Sequence, residues 1–145
     1  MWGRSPRGER KTAPMVMSVW DEAADRFGFL VDRWLFEKPE RTAAGLSWHR
    51  PGLHVHFGVW QHNNESGVST DLEDTFGSVQ LSCLFVACEL GPPQRVPEGS
   101  GSRKVISKRI GQHADALGLV MPLVSDAATA GALFERCRRG VDSPR

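Results

Sequence analysis

The chain has 145 residues and a formal net charge of +1, with 40% hydrophobic and 24% charged residues. That is the length of one globular domain, too apolar for a disordered chain and too evenly charged for a polyelectrolyte. No apolar run approaches the ~18 residues of a membrane span, and three cysteines without a Cys-x-x-Cys spacing argue against a disulfide framework or a structural zinc site.

Residues 1–14 are rich in Gly, Pro, Arg and Lys and have no periodicity, so a disordered basic arm is expected there. They lack the apolar stretch of a secretory signal, which makes cytoplasmic residence the expectation. A single domain is expected over 15–139, with a loose tail over 140–145. Its first element is a helix from about 17 to 36. Ser18 is placed to cap it, Gly28 to weaken it, and Lys38-Pro39 to end it. Trp20, Ala23, Ala24, Phe27, Val31, Trp34 and Leu35 follow helical spacing along its buried side.

Two strands follow, about 44–50 and 53–61, around Pro51-Gly52. Alternation puts Leu46 and Trp48 on one face with Leu53, Val55, Phe57 and Val59. A polar loop over 61–67 leads to a third strand near 68–72. Residues 78–90 fit either a buried strand or a helix. The spacing of Leu81, Leu84, Phe85 and Cys88, with Gly91-Pro92 after it, favours a helix. A linker-like loop over 92–102 precedes helices over about 103–120, interrupted by Pro122, and about 126–137, buried through Ala130, Leu133, Phe134 and Cys137. The order predicts an α+β fold: a small three-stranded antiparallel meander over about 44–72, packed against one N-terminal and three C-terminal helices.

A symmetric turn on Pro51-Gly52 sets His49 opposite His54 and Ser47 opposite His56. It places the three histidines on the face away from the core. Three neutral imidazoles could ligate zinc and leave a fourth position for water, with Glu65 or Asp71 as base. No ligand motif accompanies them, and polar residues on the solvent face of a sheet are what such sheets require anyway. His113 reads as a surface or boundary histidine, with Ser82, Ser107 and Cys88 in no recognisable nucleophile motif.

Residues 51–94 contain no Lys or Arg but carry Glu65, Asp71, Glu73, Asp74 and Glu89, while the C-terminal third is basic. An acidic central surface formed by Glu65, Asp71, Glu73 and Asp74, with Trp60 beside it, suits a basic protein partner. The basic clusters Arg103-Lys104, Lys108-Arg109 and Arg136–Arg139 lack interleaved aromatics or a DNA-binding signature, which argues against nucleic acid.

The segments Phe27-Gly-Phe-Leu-Val31, Leu46-Ser-Trp48, Leu53-His-Val-His-Phe57 and Ile110-Gly-Gln-His-Ala-Asp-Ala-Leu117 resemble small uncharacterised bacterial α+β proteins of the polymorphic-toxin immunity type. The resemblance spans about 17–139. It implies a non-enzymatic, cytoplasmic, protein-binding role, immunity-like or inhibitory, with no cofactor and no catalytic residues to carry over. The alternative that the residues themselves leave open is a small metal-dependent enzyme built on His49, His54 and His56.

Overall fold

The computed structural model describes residues 15–62 and 65–142. The arm expected over 1–14 lies outside them, as do residues 63 and 64 of the expected loop and 143–145 of the expected tail. Helix α1 runs Met15–Arg26 and α2 runs Phe29–Trp34. Ser18 therefore falls inside the first turn of α1 and is not its cap. The single expected helix is broken at Phe27-Gly28, where glycine weakens the interior. Leu35, expected on the buried stripe, is instead 83% exposed. It terminates α2 in the left-handed region, and the chain then turns so that Phe36 enters the core in its place.

Six strands form one antiparallel sheet: β1 Glu40–Thr42, β2 Gly45–Arg50, β3 Leu53–His62, β4 Glu65–Asp74, β5 Gly77–Gln80 and β6 Gly99–Gly101. The three strands of the predicted meander are its centre, β2-β3-β4. Strand β1 flanks them on one side, while β5 and β6 share the far edge of β4. Between the two edge strands, the Thr70 backbone N–H donates to the Glu98 carboxyl.

Residues 78–90 divide between both readings: β5 ends at Gln80 and helix α3 covers Leu81–Ala87. Helix α3 stops short of Gly91, with Glu89 in the left-handed region. The expected loop over 92–102 contains a 3-10 turn at Pro93–Arg95 and strand β6. Ser102 caps helix α4, Arg103–Val124, by accepting from the Val105 N–H. That helix continues through Pro122 instead of ending there. The ring is solvent-exposed, and Gly118, whose carbonyl loses its partner, lines a surface depression with it. Helix α5, Ala127–Asp142, runs beyond the expected end at 137.

The core lies between the helices and one face of the sheet. Leu46 and Trp48 of β2, Leu53, Val55, Phe57 and Val59 of β3, Val68 and Leu72 of β4 and Val79 of β5 are all buried, at the alternation a strand requires. Phe27 stacks on Trp48 at 5.3 Å and meets Phe57 edge-on at 5.4 Å. The Trp20 indole N–H donates to the Gly45 carbonyl, tying α1 to β2. Among the described residues, no helix is long and apolar enough to cross a membrane.

Candidate functional site

The Pro51-Gly52 turn sets the geometry. Gly52 has φ +84°, which a residue with a side chain rarely adopts. The turn closes symmetrically, pairing Arg50 with Leu53, His49 with His54, Trp48 with Val55 and Ser47 with His56. Strand β4 continues the register, with Asp71 opposite His56 and Glu73 opposite His54. The face away from the helices therefore displays Ser47, His49, His54, His56, Trp60, Ser69, Asp71 and Glu73.

The three histidines meet as expected. The Nδ1 atoms of His49 and His54 are 2.9 Å apart, so one donates and the other accepts. Their rings are 4.9 Å apart, and His56 lies 6.1 and 6.4 Å from them. His56 is held at both nitrogens: Nδ1 is 2.8 Å from Ser47 Oγ and Nε2 is 2.8 Å from Glu73 Oε1. On the other side Glu40 of β1 stands 3.5 Å from His49 Nε2. Among the described residues, no group of three or more His, Cys, Asp or Glu side chains is arranged to hold a metal ion.

Burial pushes the Asp71 carboxyl up, against the pull of His56. Burial and then the Asp71 charge push Glu98 up as well, offset in part by the Thr70 N–H. Trp60 is 44% exposed and lies across Gly67, where an added Cβ would fall 2.0 Å from the indole. Glycine there lets the ring lie down on the neighbouring strand.

The structure divides the acidic residues singled out in the sequence. Asp71, Glu73 and Trp60 share the open face. Asp74 does not: it points to the helical side, where Arg138 of α5 pairs with it and also donates to the Gly77 carbonyl. Glu65 pairs with His62 at the end of the β3-β4 ladder. Ser47 was legible from the same register that aligned the histidines. Glu40 and Glu98 were not, because they lie in or beside short strands without alternation.

His113 corrects the sequence reading. It is fully buried, with Nδ1 2.7 Å from Thr70 Oγ1 and Nε2 2.7 Å from the Pro97 carbonyl. None of Ser82, Ser107 and Cys88 is among its partners; Ser107 donates to Glu22. The basic C-terminal groups are largely committed to the fold: Arg103 to Glu22, Arg109 to the carbonyls of Gly99 and Ser100, and Arg136 to that of Ala87. The cysteines converge where α3 meets α5. Cys83 Sγ lies 3.8 Å from the Cys137 carbonyl, and burial and then the Cys83 thiol push the Cys137 thiol up. No family model, curated protein or solved structure matches the chain.

Proposed function

We propose that the protein is a protein-binding module that docks a basic partner on the open face of its sheet. The observation that carries this reading is the composition of that face. Across β2, β3 and β4 it offers Asp71, Glu73, three histidines and a half-exposed Trp60, with no Lys or Arg, while the described helices pack on the other side. Aromatic anchors set in a polar field are typical of interface centres, and a one-signed field steers an oppositely charged partner. The docking surface is centred on His54, His56 and Trp60, with Asp71, Glu73 and Glu40 around them; Asp74 is withdrawn from it by Arg138. An immunity-like or inhibitory role, in which the module occludes a basic toxin in the cytoplasm, is the finer reading favoured by the sequence resemblance.

Photocrosslinking in expressing cells tests the surface. A benzophenone residue at position 60 should trap one discrete partner. The same group at position 86, exposed on α3, should not. Adding Glu40→Lys and Asp71→Lys should abolish the position-60 product, and raising the salt should slow its formation with purified partner. A product formed from position 86 alone, or one indifferent to charge reversal, overturns the reading.

A further inference from the structure

The hydrogen bonds of His56 fix the direction in which its protons face. The Glu73 carboxylate can only accept, so Nε2 carries the proton and donates to Oε1 at 2.8 Å. In the neutral ring Nδ1 is then a bare lone pair. Ser47 Oγ, 2.8 Å away, can only donate to it. A hydroxyl aimed at an unprotonated imidazole, itself oriented by a carboxylate, is the arrangement that makes serine a nucleophile. The two ring nitrogens are exchanged relative to the usual serine triad, but each performs the same service.

A second observation shows where an acyl group would sit. Ser47 and His56 line a depression of about 160 Å³ with Ser69 and Asp71, between the backbones of Gly45 and Gly58. Gly58 has no side chain to fill it, and the Ser69 hydroxyl lies so close that a Cβ on Gly58 would fall 2.8 Å from its oxygen. That hydroxyl is a donor for charge developing on an acyl oxygen.

We propose that Ser47, His56 and Glu73 form a working hydroxyl-activation relay, with Ser47 the nucleophile toward small activated acyl esters. The Ser47 oxygen bonds to the acyl carbon and its proton passes to His56 Nδ1. Collapse of the adduct breaks the ester bond, and the leaving alcohol takes that proton. Water repeats the sequence on the acyl-serine and releases the acid. Glu73 is a positioning residue: it holds the tautomer and stabilises the imidazolium. The inference does not rest on the docking reading, since it needs no partner.

The test is labelling of the full chain with a fluorophosphonate, read by peptide mass spectrometry. Here the Oγ–P bond forms, the P–F bond breaks, fluoride leaves, and the serine proton passes through His56 to solvent. Ser47 should be modified in preference to Ser69, Ser82 and Ser107. Ser47→Ala should lose the adduct, and His56→Gln should slow labelling by about 100-fold or more. Glu73→Gln keeps an acceptor but no charge. It should slow labelling about tenfold and move the midpoint of its pH profile to lower pH, a shift that a purely structural role would not give. The groups facing His56 are Ser47 on β2, Asp71 and Glu73 on β4, and the His49 and His54 rings. Ser82→Ala, on α3 and away from the open face, should label as wild type does. Absence of an adduct at Ser47, or an equal rate in folded His56→Gln, overturns the proposal. If His56→Gln fails to fold, the wild-type profile decides: a rate that follows bulk hydroxide instead of one titrating imidazole overturns it.

Discussion

Among the described histidines, His113 is the one that water does not reach. His113 is sealed between β4 and the Pro97 carbonyl. Burial first, and then Arg109, hold its pKa down from the ordinary 6.5, with Pro97 pulling the other way. The unfolded chain therefore takes up this proton first as the pH falls. The stability it contributes is complete above about 6.5 and declines below that, by up to about 1.4 kcal/mol per pH unit. Urea denaturation at about pH 7.5 and pH 5.5 should show the loss, and His113→Gln should remove that part of the pH dependence while lowering stability at the higher pH. Across β3 the side chains separate in the same way. Phe57 is 1% exposed and wedged against Phe27, so Phe57→Ala should cost about 3–5 kcal/mol. His54→Ala, on the open face, should cost no more than about 1 kcal/mol. Equal losses in chemical denaturation would contradict the assignment of the two faces.

At the scale of elements, one position avoids strain and another carries it. Gly52 fits its turn because it lacks a Cβ, and nothing crowds it. Gly52→Ala should therefore cost about 1–2 kcal/mol from backbone conformation alone. Pro122 lies within α4 and leaves the Gly118 carbonyl without its helical donor. Pro122→Ala should raise stability by up to about 3 kcal/mol, read as a higher denaturation midpoint at unchanged slope. These elements also mark how far the sequence was legible. The hairpin was, down to its register, because six apolar residues alternate around one turn and a slip would expose them all. Strands β1 and β6 were not: each is three residues long, and neither has a buried side to set a period. Residues 78–90 were ambiguous for a physical reason, since four residues of strand lead straight into seven of helix and each period holds only in its own part. Pro122 read as a boundary because local preference opposes it, and packing of Val120, Met121 and Val124 overrides that preference.

Over the whole molecule, the acidic middle and basic end of the sequence are partly spent on one another. Asp74 and Arg138 meet across β5, with side chains 17% and 22% exposed. Reversing Asp74 to Lys should thus destabilise the fold by about 3 kcal/mol. Reversing Glu73, on the open face, should leave the melting point nearly unchanged, a contrast that calorimetry can check. The charge pattern showed which residues were acidic but not which remained free to meet a partner, because that depends on the helix that crosses behind β5. Ser47, by contrast, needed only the hairpin register to be found. The shared edge of β4 also bears on the order of assembly. Pairs from β1 through β5 join neighbours in sequence, so each closes a short loop. Strand β6 returns to β4 only after α3 and its following loop have been laid down, pairing Gly101 with Ser66. Such a closure costs more chain entropy and is rewarded late. The meander should therefore be able to assemble before its last rung arrives. In the native protein, that rung is where the edge of the sheet should first open to solvent, with amide exchange faster at β6 than at the β2-β3 hairpin.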